Sequence, residues 1–253
     1  MPKMRKPPAF STQVYDLLMI ELTNWRWSWR SSVIVGALAP LLSIVALGLF
    51  ARDSGPRTLA YILTGNAVIS LMFGNMDKLQ SHFCFIRFQG TLDYLATLPI
   101  RRYALIVAAM LAFLLLSLPS LAATVLLGSL YLRVPLHLHP LLLAVIPLCA
   151  LPLAGIGALI GTTARGPQEA GSLSLLVTLA LAGLGPVVVP PERLPGIMVA
   201  LGRLSPATYA ASALRQALLG PVTGQLLADL AVLAAISALV LWLVGHKMDW
   251  RQR

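Results

Sequence analysis

The stretch "LPGIMVALGRLSPATYAASALRQALLG" (residues 194–220) decides the fold. It is apolar enough to cross a membrane, but Arg203 and Arg215 lie inside it. An arginine near a bilayer centre costs about 2.5–3.5 kcal/mol. Pro206 divides the stretch in two, and Ser205 stands where a cap for the second half belongs. The expectation is a short re-entrant or outer helical pair within residues 190–222, not a crossing.

The remainder of the chain has the composition of a membrane protein. Of 253 residues, 58% are hydrophobic and only 11% are charged, where a soluble domain carries about a quarter. The deficit falls in long uncharged runs. Six runs read as spans: 33–50, 58–76, 103–132, 140–164, 170–189 and 226–244. The third would be about 45 Å long, against roughly 30 Å of hydrocarbon, so it must tilt, bend near Pro119 or project. Prolines 147 and 152 fall inside the fourth, where neighbouring helices can satisfy the freed carbonyls. The expected fold is all-α: a tail and interface helix (1–31), a six-span domain (32–246) with a polar connection at 77–102, and a basic tail (247–253).

Charge decides the orientation. Six crossings leave both termini on one side, with thirteen of the nineteen basic residues; six lie on the other. The positive-inside rule then places both termini in the cytoplasm. The net charge of +10 fits a lipid-facing surface, and no nucleic-acid motif accompanies it.

Residues 10–30 read as an amphipathic helix. Phe10, Val14, Leu17, Leu18, Leu22, Trp25 and Trp29 form one stripe, with Gln13, Asp16 and Asn24 away from it. Trp25, Trp27 and Trp29 alternate with Arg26, Ser28 and Arg30, and indole and guanidinium groups both suit the headgroup layer. The alternative is a helix packed on protein.

The chain carries no visible motor. None of its four lysines follows a glycine, so a G-x-x-x-x-G-K-[ST] phosphate loop is absent. The span middles hold no acid or base of the kind ion-coupled carriers keep. Cys84 and Cys149 give neither a disulfide framework nor a zinc spacing. His137 and His139 lack a third ligand, so no metal is expected. Asp229 is expected to cap a helix or pair with Arg203 or Arg215. Gly157 and Gly161, four apart, suit close helix packing within or between protomers.

Between the second and third spans runs "FQGTLDYLATLPIRR" (residues 88–102). Residues 91–98 can form two helical turns, with Asp93 in the first turn, Gly90 before it and Pro99 ending it. Phe88, Leu92 and Leu95 are expected to share one face. On physical grounds alone this is either a lever for a partner or a helix that merely fits the lipid boundary.

Three motifs resemble the permeases of type-2 ABC transporters. "QGTLDYLATLPIRRYALIVA" is similar to their cytoplasmic segment through Gly90, Thr91, Leu92, Asp93, Leu95, Pro99 and Ile100. "VVVPPERLP" resembles the proline-rich stop after their fifth span. "RLSPATYAASALRQALLG" resembles the outer segment that follows, through Ser205, Pro206, Tyr209 and Arg215. The mostly apolar spans suit an amphipathic or lipid-linked cargo better than a small ion, and the expected role is export across a bacterial inner membrane. The resemblance implies a half-transporter. It implies a second permease copy, identical or related, and separate ATP-binding subunits that hold ATP and Mg. This chain itself would hold no cofactor and would not be an enzyme. The partner would meet the coupling segment (Phe88, Gly90, Thr91, Leu92, Asp93, Tyr94, Leu95, Pro99, Arg101, Arg102) and the interface helix (Trp25, Arg26, Trp27, Trp29, Arg30). The rivals are a passive channel or scramblase-like path with no ATPase, and a lipid-modifying membrane enzyme.

Overall fold

A computed structural model describes residues 9–24, 29–51, 54–98 and 100–247. Helix α1 (Phe10–Asn24) is followed by α2 (Trp29–Phe50). Helix α3 (Pro56–Leu71) passes through a π segment, Met72–Asp77, into α4 (Lys78–Phe88). Next come the short α5 (Thr91–Thr97), then α6 (Arg102–Leu132), α7 (Leu142–Thr163) and α8 (Pro167–Gly183). A 3-10 turn at Pro191–Arg193, α9 (Gly196–Gly202) and α10 (Pro206–Leu219) precede α11 (Gly224–Lys247). No strand occurs among the described residues.

Among the described residues, five helices are long and apolar enough to cross a membrane: Trp29–Phe50, Pro56–Phe88, Arg102–Leu132, Leu142–Thr163 and Gly224–Lys247. The second differs from expectation. Residues 78–88 continue the helix through what read as polar connection, making one rod of 33 residues, about 50 Å long. Together with α6, of 31 residues, it is longer than the bilayer needs. Helix α6 runs unbroken through Pro119.

The expected span 170–189 also changes. Helix α8 has 17 residues and stops at Gly183. Gly185 has φ +136, which favours glycine, and Pro186 follows it. The chain continues non-helically, with Val187 fully buried. A Cβ on Gly65 of α3 would lie 2.6 Å from the Val187 carbonyl oxygen, so only glycine admits this segment. Non-helical backbone at membrane depth is tolerated where protein covers it.

Side-chain contacts gather the loops at two ends of the bundle. At one end, Arg57 pairs with Glu192 at 2.8 Å and Arg193 Nη1 donates to Ser54 Oγ at 3.2 Å. There the main-chain N–H groups of His137 and His139 donate to the Leu218 and Ala217 carbonyls of α10. At the other end, α1, α5 and the α7–α8 turn come together.

Small residues set the helix spacing in the core. A Cβ on Gly157 would clash with the Met76 carbonyl oxygen, and one on Gly161 would lie 2.5 Å from that of Gln80. The glycine pair of α7 therefore packs within the protomer, against the π segment and α4. Within that segment, Asn75 Nδ2 donates to the Leu71 carbonyl at 3.2 Å and to Ser117 Oγ of α6 at 2.9 Å.

Candidate functional site

Helix α4 stops at Phe88 because Gly90 takes a left-handed conformation, φ 72 and ψ 7. A Cβ there would meet nothing within 4 Å, so backbone angle and not space requires the glycine. Gly90 occupies the N-cap position and no side chain caps α5. Thr91 is thus the first helical residue, and Asp93 the third. Leu98 turns extended, φ −85 and ψ 151, as a residue before proline does. The Arg101 main-chain N–H donates to Gln13 Oε1 of α1 at 2.9 Å, and α6 begins at Arg102.

One leucine seats this small helix. Leu92 is 3% exposed and joins a cluster with Leu17 of α1, Leu79 and Phe83 of α4, and Leu105 of α6. Full burial of such a side chain contributes about 1.5–3 kcal/mol. Leu95 and Ile100 pack against the same cluster. Tyr94 at 65% and Leu98 at 36% remain exposed, as do Arg101 and Arg102. Phe88 does not share the Leu92 face as expected. It is the last residue of α4 and half exposed, because the break at Gly90 re-aims the chain.

The rods that carry α5 are braced. Arg87 Nη1 donates to the Thr162 and Ala164 carbonyls, each at 2.8 Å. This satisfies orphan acceptors at the α7 C-terminus, where the dipole favours a cation. Helix α1 buries Gln13, Leu17 and Glu21. Glu21 Oε1 lies 3.3 Å from His82 Nε2 of α4, and the His82 ring meets Phe83 and Phe113 edge-on.

Two expectations for the interface helix change. Gln13, placed off the stripe, is 3% exposed, while Phe10 is 40% exposed. The cause is the hydrogen bond to Arg101 and the Glu21–His82 contact, which draw a partly polar stripe onto protein. Trp29 and Arg30 open α2, with the Arg30 guanidinium 5.7 Å from the Trp29 ring centroid. Trp25, Arg26, Trp27 and Pro99 lie outside the described residues. Sequence reasoning missed Gln13, Glu21, His82 and Arg87. The four-residue spacing of 13, 17 and 21 was the available signal.

At the opposite end, Pro206 is the first residue of α10 and is buried. Ser205 holds the N-cap position without forming a side-chain cap, and its Oγ is buried with no partner among the described residues. Tyr209 donates its hydroxyl to the Arg203 carbonyl at 2.7 Å, closing the α9–α10 turn. Arg215 stacks its guanidinium 3.4 Å from the Tyr61 ring centroid, a cation–π contact that joins α10 to α3. Asp229 forms no salt bridge with Arg203 or Arg215. It accepts from Gln216 Nε2 at 3.4 Å, and Gln216 Oε1 in turn accepts from the Thr223 N–H and hydroxyl. A neutral amide thus bridges α10 to the start of α11. His139 Nδ1 accepts from the Leu141 N–H, and no group of three metal-binding side chains exists among the described residues.

A short helix is thus seated between two overlong rods, and a helical pair lies at the far end of the bundle. Residues 12–219 match the family model of the ABC-2 type transporter, and the chain belongs to that family. It is a multi-pass membrane protein and a permease component. Comparison with curated proteins found no match.

Proposed function

We propose that this chain is one half of an ATP-driven exporter for an amphipathic or lipid-linked cargo, working by alternating access. A second copy completes the path, and a separate ATP-hydrolysing subunit binds ATP and Mg. The chain crosses an inner membrane six times, through α2, α3–α4, α6, α7, α8 with its non-helical continuation, and α11. Both termini are cytoplasmic. The observation that carries this reading is α5. It sits at the tips of two rods longer than the bilayer, with one leucine locked in the core and Tyr94, Leu98, Arg101 and Arg102 facing out. A force on such a surface reaches α3 and α6 directly.

The test is purification with the ATP-hydrolysing subunit, followed by cargo-stimulated hydrolysis. Replacing Tyr94 and Leu98 together by alanine is expected to loosen the partner while leaving the fold unchanged. Full partner retention and cargo-driven transport in that variant would defeat the coupling role of α5, and cargo flux without ATP would favour a passive path. Orientation is tested by impermeant thiol labelling of intact cells in a cysteine-free background. Glu192→Cys is expected to react and Tyr94→Cys to resist. Cys84, only 1% exposed, is unsuitable as a reporter.

A further inference from the structure

A groove lies between the end of α2, the start of α3 and the segment after α8. Its walls include Leu47, Phe50, Ile62 and Val188, and its polar end holds Ser54 and Arg193. Phe50 is 88% exposed and Leu49, beside it, 52%. The groove therefore opens sideways, onto the apolar face that α2 presents.

The polar end is chemically specific. Arg193 is exposed, and its Nη1 donates to Ser54 Oγ at 3.2 Å. Because Ser54 Oγ accepts there, its own proton is available, and no acceptor among the described residues takes it. Glu192, the nearest acid in sequence, is held by Arg57 at 2.8 Å. Among the described residues Arg193 has no carboxylate partner.

We infer that this groove binds a phosphate-bearing amphiphile from the surrounding bilayer. Its acyl chain lies along Leu47, Phe50, Ile62 and Val188, and its phosphate rests on Arg193 and the Ser54 hydroxyl. Phosphate fits because it offers several acceptor oxygens to a guanidinium and a neighbouring hydroxyl at once. The side opening fits because a lipid can enter without leaving the membrane. The inference rests on the chain spanning a membrane. It requires neither the partner ATPase nor a direction of transport, so it can fail while the exporter reading stands, and the reverse.

The test uses the purified chain in neutral maltoside micelles with phosphatidylglycerol carrying a photoreactive acyl chain. Cross-linked peptides are mapped by mass spectrometry. Labelling is expected to concentrate in residues 47–62 and 186–193. Arg193→Gln should weaken it about ten-fold, the effect of one lost charge-assisted hydrogen bond. Arg203→Gln, an exposed arginine outside the groove, should leave it unchanged. Diacylglycerol with the same photoreactive chain should label the groove far less. Three results would each overturn the inference: equal labelling by diacylglycerol, an unaltered Arg193→Gln variant, or labelling as strong over Leu239 and Trp242 of α11.

Discussion

Helices α5 and α9 have seven residues each, and both link much longer helices, yet they are held in opposite ways. Helix α5 turns Leu92 into the core and leaves a mixed surface of Tyr94, Leu98 and two arginines outside. Helix α9 buries only Gly202. Its apolar residues face outward, with Ile197 72% and Leu201 42% exposed, and Leu204 just beyond it at 80%. Glycine meets glycine there: a Cβ on Gly202 would lie 2.7 Å from the Gly185 Cα. A short helix anchored by a side chain has one defined outer face. One anchored by backbone contact at its last residue leaves apolar residues exposed. Apolar content alone does not distinguish a helix aimed at protein from one aimed at the bilayer.

The sharpest way to break this contrast is charge. Leu92→Asp buries a carboxylate without a partner and should destabilise the protein by about 3 kcal/mol or more. Ile197→Ser should stay within about 0.5 kcal/mol. Thermal unfolding in detergent compares the two, and equal losses would show that α5 is not seated by its leucine. Next in size is Gly202→Leu, which overfills the contact with Gly185 and should cost about 1–3 kcal/mol. The same assay should show a lowered midpoint.

A smaller effect is expected from Gln13→Ala, which removes the acceptor for the Arg101 N–H and should cost about 1 kcal/mol. Hydrogen exchange should rise at residues 91–102 and not at 196–204. Last is a pair of glycine replacements at the two helix starts, comparable in size at Gly90 and smallest at Gly196. Gly90→Ala forces alanine into φ 72 and should cost about 1 kcal/mol. Gly196 has open space and no left-handed angle, so Gly196→Ala should be neutral or stabilise by about 0.5 kcal/mol. Shifts of the same sign in both would remove the distinction.

What the sequence made legible was mostly local. The limits of α5 are local: Gly90 takes a left-handed angle of its own, and Leu98 turns extended as a residue before proline does. The break between α9 and α10 was legible because Pro206 and two arginines argue against one continuous crossing. Distant partners were not legible. Gln13 is 88 positions from the residue it binds; its spacing from Leu17 and Glu21 marks a shared face but does not name that partner. The extension 78–88 reads as polar connection because Lys78, His82 and Arg87 are polar; each finds a protein partner beyond the apolar run. Ser205 is the reverse case, a good cap residue whose hydroxyl makes no cap. Its burial follows from how α10 packs, which no neighbouring residue specifies.

The π segment Met72–Asp77 has a consequence for how this protein can change over time. A π turn closes its hydrogen bonds five residues apart, as though one residue had been inserted into an α-helix. Losing that residue would rotate everything beyond it by about 100° about the axis. Arg87 would swing away from the α7 end, and the Gln80 carbonyl would leave Gly161. The surface of α5 would then point to a different azimuth around the bundle. Single-residue deletions in this window therefore act as large changes of aim, and a lineage that keeps the same placement of α5 must keep the insertion or restore its phase elsewhere in the rod.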